Sequence, residues 1–395
     1  MKKKLQKTDK MLLCRKFKFK SRLIAIMIKL AKFVLAVQLL GAVGAQAANI
    51  AVVAPKVGAM AKFGHQLTEG AQTAVDEINK NGGLMGEQLN LIMVDDQCED
   101  SFAVSAAQMM ALNSSEEDKI SLVIGPYCGN EFVRISEIYA GGKIARIVPV
   151  PLGKSQYGLD KPGLIKIGGI MSEEADTFFE FYQQKFSGKS IAVVYDSALA
   201  ATAETAHRVR ELFNEHDLSG QIMLYDAAGY AEDYETAAKE ILLNSQIVYI
   251  LSSPKATARL AQKLQEEKPD TVLLIDEYMA TPYFFREMGN FAEGVYVLAK
   301  EDLKDNPTFT EELVRLRLAG YEPRGLGVYG YAAVRLWSEM VRRTGSFDFG
   351  KVDAQRNGKQ FELPWGKVDF VNGNALQSSG YEVYQIVNGE YAQVD

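Results

Sequence analysis

NIAVVAPKVGAMAKFGHQLTEGAQTAVDEINKNGGLMGEQLNLIMVDD, residues 49–96, shows the pattern from which the rest of the architecture follows. Its two ends, 49–55 and 89–96, are apolar runs of strand length, and unbroken apolar runs are typical of parallel strands covered on both faces. Five apolar residues between them share one helical face: Leu67, Ala71, Ala74, Val75 and Ile78. The glycine-rich NKNGGLMG then ends the helix. The stretch therefore predicts a strand, a helix and a second, parallel strand.

The same alternation continues along the chain in two series. Apolar runs of strand length recur at 121–125 and 146–150, and after about residue 170 at 190–196, 220–226, 246–253 and 271–277. Segments of helical period separate these runs. Because right-handed βα crossovers build doubly wound sheets, the predicted fold class is α/β, with two doubly wound parallel-sheet lobes.

Local signals mark particular elements of this plan. Ser253 is a suitable cap for a helix, Pro254 suits its first position and Pro269 stops it. Near the C-terminus, Asn-Gly pairs at 372–373 and 388–389 lie between strand-like runs. Asn-Gly is the preferred pair in a two-residue hairpin turn, so the chain is predicted to end in hairpins.

Residues 1–47 differ in composition from everything that follows. They carry twelve Lys or Arg and one acid, then the apolar run FVLAVQLLGAVG from Phe33, and then Ala45-Gln46-Ala47. This order is typical of a secretory signal peptide cut after Ala47. A membrane anchor is the alternative, but spanning a bilayer takes ~20 apolar residues. Met27 begins a complete signal by itself, so Met1 and Met27 are both candidate translation starts.

The charge of the exported chain limits its partners. The whole chain has a net charge of −6, and removing the signal, whose twelve basic residues and one acid give +11, leaves −17. An acidic surface without a stripe of Lys and Arg repels nucleic acid and anionic membranes. Small diffusible ligands and a neighbouring protein remain as the expected partners.

Two cysteines, Cys98 and Cys128, remain after the signal is removed, because Cys14 leaves with it. In an oxidising compartment an even number of cysteines usually indicates a disulfide. Two unpaired buried thiols are the alternative. A bond here would close a loop of about 30 residues and stabilise the fold by ~3–4 kcal/mol.

The sequence contains residues that resemble metal-binding and nucleotide-binding motifs, but their spacing or their surroundings do not match what those motifs require. His65, His207 and His216 are too scattered for a metal site. SGKS at 187–190 lacks the first glycine of a phosphate loop, and GLGVYG at 325–330 does not follow a strand. The acids of DDQCED lack the alternating spacing of a calcium loop. No cofactor or metal is predicted.

Four stretches, taken in order, resemble one known family. They are GAMAKFGHQLTEGAQTAVDEINKNGGLMGEQLNLIMVDDQCED (58–100), VIGPYC (123–128), AEDYETAAKEI (231–241) and VYGYAAVRLW (328–337). In this order they resemble the periplasmic leucine/isoleucine/valine-binding proteins, which have the type I periplasmic binding fold and deliver solutes to ABC transporters. The resemblance covers nearly the whole exported chain.

The resemblance implies a lobe map and a disulfide. Three crossings would join a first lobe of 48–169 plus 300–364 to a second of 170–299 plus 365–395, and this hinge could close over a ligand. Members of the family join a cysteine after the double Asp to one after the third strand. The resemblance thus implies a Cys98–Cys128 bond, which pins one loop beside the cleft.

The resemblance also implies a ligand site, with departures from the family pattern. Members hold an amino acid by its carboxylate, with a hydroxyl and N–H groups at a helix start, and by its ammonium, with an acid of the other lobe. That acid corresponds to Glu277. The serine expected after Cys128 is Gly129, and the threonine expected in a strand-end loop is replaced around Leu152. Phe63 replaces a pocket tyrosine, and small residues near Ala200 and Ser253 replace others.

These correspondences give a set of candidate ligand-binding residues: Phe63, Gly129, Asn130, Val150, Pro151, Leu152, Ala200, Ser253 and Glu277. One wall of the predicted pocket is apolar, and an acid lies opposite. Losing hydroxyl partners of a carboxylate weakens its binding, since each charge-assisted hydrogen bond contributes ~1.5–3 kcal/mol. The predicted ligand therefore has an apolar body with an amine, amide or hydroxyl group, and leucine is disfavoured.

The sequence predicts an exported, periplasmic, monomeric protein without enzymatic activity. Its predicted partners are a small-molecule ligand and the permease of an ABC transporter, and not nucleic acid. A sensing protein that presents its closed form to a membrane receptor is the alternative. An exported hydrolase is a third hypothesis, which lacks a proposed nucleophile and base.

Overall fold

The computed structural model describes residues 48–58, 60–113, 115, 118–128, 131–230, 232–378 and 380–394. The predicted signal peptide and the candidate ligand residues Gly129 and Asn130 lie outside these ranges. No helix within them is both long enough and apolar enough to cross a bilayer.

The strands of the described residues are numbered in chain order. They are β1 (Ala48–Val53), β2 (Leu89–Val94), β3 (Ile120–Ile124), β4 (Ala145–Val148), β5 (Leu164–Lys166), β6 (Ile191–Tyr195), β7 (Ile222–Asp226), β8 (Ile247–Leu251), β9 (Val272–Asp276), β10 (Tyr296–Lys300), β11 (Lys359–Leu363), β12 (Gly366–Val371), β13 (Asn374–Ala375), β14 (Tyr381–Val387) and β15 (Glu390–Gln393).

The helices are numbered in the same way. They are α1 (Ala61–Lys80), α2 (Asp100–Leu112), α3 (Phe132–Gly141), α4 (Lys154–Tyr157), α5 (Glu174–Lys185), α6 (Ala200–Glu215), α7 (Tyr234–Asn244), α8 (Pro254–Glu267), α9 (Pro282–Met288), α10 (Thr310–Leu318), α11 (Leu326–Thr344) and α12 (Phe349–Asp353).

Two sheets organise these elements into two lobes. The first sheet has the order β11-β12-β13-β5-β4-β3-β1-β2, and the second has the order β15-β14-β10-β9-β8-β6-β7. Within each sheet the βα-connected strands are parallel, and the C-terminal hairpins add antiparallel strands at one edge. The predicted α/β fold with two doubly wound sheets is confirmed.

Helix α1 has the buried face that its spacing predicts. Leu67, Ala71, Ala74, Val75 and Ile78 are all at most 2% exposed. The helix packs closely against α11, because glycines remove side chains from the contact. A Cβ added at Gly330 would lie 2.1 Å from the Leu67 carbonyl oxygen, and one at Gly70 would lie 1.8 Å from that of Gly327. Only a bare backbone fits at these points.

The local turn and cap signals are also confirmed. Ser253 caps α8, with its side chain accepting a hydrogen bond from the Ala256 N–H and Pro254 at the first turn. Asn372 and Asn388 have φ values of 52° and 53°, and each is followed by a glycine with positive φ. These dihedral angles suit the tight turns that Asn-Gly favours.

The third crossing between the lobes differs from the predicted lobe map. The map ends the first lobe at 364, but β12 and β13 belong to the first sheet, with Phe370 paired to Ala375 and Asn374 to Lys166. The crossing therefore lies between β13 and β14. A hairpin with one apolar face can extend the edge of either sheet, so the hairpin pattern alone did not place it.

Candidate functional site

A cavity of about 260 Å³, called here the cleft cavity, lies where loops of both lobes meet. The first lobe contributes Met60, Tyr127, Cys128, Val150, Pro151 and Gln156, and the segment after β5 contributes Met171. The second lobe contributes Leu199, Ala200, Ala201, Thr202, Leu251, Ser252, Asp276, Tyr278 and Met279. Most of these residues follow the carboxyl end of a parallel strand, where ligands of open α/β sheets bind.

A second cavity of about 870 Å³ lies beside the strand β10 and the start of α11. Its described lining includes both signs of charge and three tyrosines: Lys62, Gln66, Glu277, Ala299, Lys300, Glu301, Asp302, Leu303, Lys304, Glu322, Arg324, Gly325, Leu326, Val328, Tyr329, Tyr384, Glu390 and Tyr391. The two cavities have no lining residue in common.

Three aromatic rings, called here the ring cluster, join the lobes at the cleft. Phe63 stacks on Tyr127 with ring centroids 5.5 Å apart, and both rings contact Tyr278 of the second lobe at 5.6 and 5.9 Å. Phe63 is only 2% exposed. Offset and tilted ring pairs contribute ~0.5–1.5 kcal/mol beyond their buried area. Phe63 thus fills space between the lobes, and it lines neither cavity.

Three of the predicted ligand residues come together and others do not. Val150, Pro151 and Ala200 line the cleft cavity. Glu277 lines the second cavity. The described structure thus separates Glu277 from the apolar wall that the sequence placed opposite it.

Leu152 and Ser253 lie outside the lining of both cavities. The N–H of Leu152 donates to the Gly169 carbonyl, and its own carbonyl accepts from the Met171 N–H, so this residue pairs with the first crossing between the lobes. Ser253 is occupied in capping α8, and its neighbour Ser252 lines the cleft cavity.

Asp276 provides the acid of the cleft cavity. It is 4% exposed, and its Oδ1 accepts a hydrogen bond of 2.6 Å from the Tyr278 N–H. Burial raises the pKa of Asp276 to about 6, and hydrogen bonds from Glu174 and from the Tyr278 backbone oppose that rise. Glu174 is 0% exposed, and its Oε1 accepts a 2.9 Å hydrogen bond from the Tyr249 hydroxyl.

Glu277 has a different environment from that of its neighbour. Its Oε2 accepts from the Lys300 backbone N–H at 3.4 Å. Burial and the adjacent Asp276 raise the pKa of Glu277 to about 7, while Lys62 and Lys300 act in the opposite direction. Near neutral pH this carboxyl is therefore divided between its neutral and ionised forms.

Buried hydroxyls without a described partner surround the cleft cavity. The Oη atoms of Tyr127 and Tyr278 and the Oγ atom of Ser252 are buried, and no described residue forms a hydrogen bond with them. All three residues line the cavity. Because an unsatisfied buried polar group costs ~1–3 kcal/mol, such groups favour a ligand that pairs with them.

Cys98 and Cys128 are paired in the structure, with Cα atoms 5.0 Å apart. Cys128 lines the cleft cavity, and Cys98 follows Asp96, whose Oδ1 accepts from the Cys98 N–H at 3.0 Å. The pair ties the loop after β2 to the loop after β3 at the edge of the cavity.

Five residues at or beside this site are not in the set of candidate ligand-binding residues predicted from the sequence: Tyr127, Glu174, Ser252, Asp276 and Tyr278. Asp276 and Ser252 each lie next to a predicted residue, Glu277 and Ser253, so their position at the end of a strand could have indicated them. Glu174 reaches the site from the first crossing, and Tyr249, its partner, lies 75 residues further along the chain. No local pattern connects such residues. Within the described ranges, no three His, Cys, Asp or Glu residues converge as a metal site.

Comparison with known proteins shows which family the sequence matches. A family model for periplasmic binding proteins matches residues 47–390. An amino acid binding protein of Pseudomonas aeruginosa is 24% identical over 350 residues, covering 87% of this chain and 92% of its own length.

Solved structures show the same fold. A leucine binding protein from Thermotoga maritima matches with a TM-score of 0.73 at 20% identity, covering 88% of this chain and 98% of its own. An ABC transporter solute binding protein from R. palustris, solved with 4-hydroxybenzoate, matches with a TM-score of 0.72 at 15% identity, covering 88% and 96%. The family match spans most of the sequence, and the chain therefore belongs to the periplasmic binding protein family.

Proposed function

We propose that this chain is an extracytoplasmic solute-binding protein of an ABC transporter, and that it captures a small organic molecule in the cleft cavity. The observation that carries this proposal is that both lobes supply the wall of the cavity. Val150 and Pro151 come from the first lobe, and Ala200 and Asp276 from the second. A molecule held there contacts both lobes at once, so its binding free energy favours the closed form.

The size of the cleft cavity suits a small metabolite. Its volume of about 260 Å³ is below the ~300–1,000 Å³ of pockets for drug-sized ligands. The wall is largely apolar, with a few polar groups placed among the apolar ones. Two proteins of similar structure are named for ligands of this size, since one is called a leucine binding protein and the other was solved with 4-hydroxybenzoate.

Binding without chemical change is the expected activity. The described lining of the cleft cavity contains no histidine, and its one cysteine, Cys128, is paired with Cys98. Export by residues 1–47 would place the monomer in the periplasm, where the cysteine pair can form. The closed form would then dock on the permease of the transporter.

Blocking the cleft cavity tests this proposal. The exported chain is screened by thermal shift and calorimetry against amino acids, amines, amides, alcohols and short aliphatic and aromatic acids. A ligand that binds only the folded state raises the melting temperature. Ala200→Trp places an indole in the cavity wall and should abolish the shift of any hit.

The matched control for that experiment is Ala198→Trp. Ala198 is exposed, lies two residues earlier and does not line the cavity. Its replacement should leave the shift unchanged. A hit that both variants bind as the wild type does would place the ligand elsewhere, and a chain that binds none of these classes would contradict the proposal.

A further inference from the structure

Two carboxyl groups meet behind the wall of the cleft cavity. Asp276 lines the cavity, and Glu174, at the start of α5, lies against it within hydrogen-bonding reach. Both residues are buried, with 4% and 0% exposure. The second oxygen of Glu174, Oε2, is buried and has no hydrogen-bond donor among the described residues.

This geometry requires a proton between the two groups. A pair of ionised carboxylates offers only acceptors, so two carboxyls in contact form a hydrogen bond only when one of them is protonated. Complete burial raises the pKa of Glu174 well above its ordinary value, and the neighbouring Asp276 raises it further. Asp276 receives a hydrogen bond from Glu174 and another from the Tyr278 N–H, and both favour its ionised form. Glu174 therefore holds the proton, and Asp276 carries the charge at neutral pH.

Other titratable groups face the pair from every side. Tyr249 of β8 donates to Glu174, Lys300 of β10 lies near Glu174, and Glu277 adjoins Asp276. The remaining groups that sense these acids are Tyr127, Tyr278, Tyr381 and Tyr391, and Glu173 lies near Tyr381. Lys300 favours ionisation of Glu174, but burial has the larger effect.

The charge on Asp276 is not balanced within the wall of the cavity. Among the described lining residues there is no Lys or Arg, and Asp276 is the only carboxylate. Lys300 and Lys62 line the second cavity instead. The hydroxyls of Tyr127, Ser252 and Tyr278, which have no described partner, add further polar atoms to the same wall. A buried anion without a cation favours a ligand that supplies one.

We infer that the cleft cavity takes a cationic organic solute, a primary amine on an apolar body, and that Asp276 binds the ammonium while Glu174 holds the single proton of the acid pair. This inference rests on the proposed function and adds to it the class of ligand and a dependence on pH. The apolar remainder of the ligand would lie against Val150, Pro151 and Met279, which line the same cavity.

The ionisation of Asp276 determines how the affinity for the amine changes with pH. An alkylammonium group keeps its proton throughout the range from pH 5 to pH 7.5, because amine pKa values lie near that of lysine, ~10. Burial raises the pKa of Asp276 to about 6, so the group should be mostly ionised at pH 7 and mostly neutral at pH 5. Affinity for the amine should therefore fall about tenfold between pH 7 and pH 5.

Calorimetry on the exported wild-type chain tests the ligand class with four probes of one shape. They are 3-methylbutan-1-amine, 3-methylbutan-1-ol, 4-methylpentanoate and leucine, each titrated at pH 5, 6 and 7. The amine should bind most tightly and should be the probe whose affinity rises about tenfold with pH. Tighter binding of leucine, of the alcohol or of the acid overturns the inference, as does an amine affinity that does not change with pH.

Two substitutions test the roles of the two acids. Asp276→Asn should weaken amine binding by about ten- to a hundredfold at pH 7, since a charge-assisted hydrogen bond is lost, and should remove the pH dependence. Glu174→Gln keeps a donor toward Asp276 but removes the second titratable acid, so the remaining fall in amine affinity between pH 7 and pH 5 should follow Asp276 alone. A matched control is Asp226→Asn, which removes an acid at the end of β7, outside the cleft cavity.

The outcomes separate this inference from the proposed function. Binding of the acid or of leucine that Ala200→Trp abolishes would support solute capture in the cleft and overturn the amine assignment. Wild-type binding data decide the ligand class even where Asp276→Asn fails to fold. An Asp276→Asn protein that is folded by circular dichroism and binds the amine as the wild type does would also overturn the inference.

Discussion

Asp276 and Glu277 are consecutive residues at the end of β9, yet Asp276 lines the cleft cavity and Glu277 lines the second cavity. The turn that follows the strand directs the two acids to different surroundings. Asp276 has Glu174 beside it, whereas Glu277 has Lys62 and the Lys300 backbone. The two acids should therefore have separate effects when they are replaced.

Replacing Glu277 should change how stability depends on pH. The pKa of Glu277 is raised to about 7 in the folded state, above its ordinary value of 4.5. The folded state therefore binds the proton more tightly than the unfolded state, and stability falls as pH rises from about 4.5 to about 7. Glu277→Gln removes this loss, so the variant should gain ~3 kcal/mol relative to the wild type between pH 4.5 and pH 8.

Urea unfolding at several pH values measures this effect. Glu362→Gln is the control, because Glu362 is an exposed acid on β11 and its replacement should leave the pH profile parallel to that of the wild type. Parallel profiles for Glu277→Gln and the wild type would contradict the assignment of Glu277 as an acid that is costly to ionise.

The ring cluster gives a second prediction. Phe63→Ala should lower the free energy of unfolding by ~3–5 kcal/mol, since a buried phenyl ring that contacts Tyr127 and Tyr278 is replaced by a methyl group. The space left between the lobes should also let the protein bind larger ligands than the wild type does. Urea unfolding and thermal shift with a size series of ligands measure the two effects.

A suitable control for Phe63→Ala is Phe102→Ala on α2. Phe102 is 48% exposed, so its truncation should change the free energy of unfolding by less than ~1 kcal/mol. Equal losses for the two variants would show that Phe63 packs no better than a surface ring.

The sequence predicted the parts of the fold that depend on local pattern. The strands at 49–55 and 246–253, the cap at Ser253 and the Asn-Gly turns all follow from periodicity and backbone preference, which act over a few residues. The position predicted for the third crossing differs from the observed one. The sheet that β12 joins depends on pairing between strands that are far apart in the sequence.

The site was predictable to the level of strand ends and no further. Val150, Pro151 and Ala200 line the cleft cavity because parallel strands bring their carboxyl ends to one edge, and their role in ligand binding stays a prediction. The pairing of Asp276 with Glu174 joins the end of β9 to the start of α5, and the stacking of Phe63 depends on both lobes. Such contacts form between residues that are far apart in the sequence, so local sequence patterns do not predict them.

The glycine contact between α1 and α11 predicts a strong steric effect. Gly330→Ala should lower the free energy of unfolding by ~2–3 kcal/mol, because its Cβ would lie 2.1 Å from the Leu67 carbonyl oxygen and the helices would have to separate. Gly141→Ala is the matched control, since Gly141 also lies in a helix but an added Cβ meets nothing within 4 Å. That variant should be unchanged or more stable by up to ~1 kcal/mol. Equal effects in urea unfolding would rule out close packing at Gly330.

The cysteine pair predicts a measurable loss of stability on reduction. Cys98 and Cys128 are 30 residues apart, and in the chain-entropy model a cross-link of that length restricts the unfolded state by ~3–4 kcal/mol. Treatment with dithiothreitol should therefore lower the free energy of unfolding of the wild type by about this amount. Replacing both cysteines by serine should cause a similar loss, and dithiothreitol should then have no further effect. Two free thiols in the unreduced, unfolded protein would contradict the pairing, and a wild type that is equally stable before and after reduction would show that the loops at the cavity edge hold without the bond.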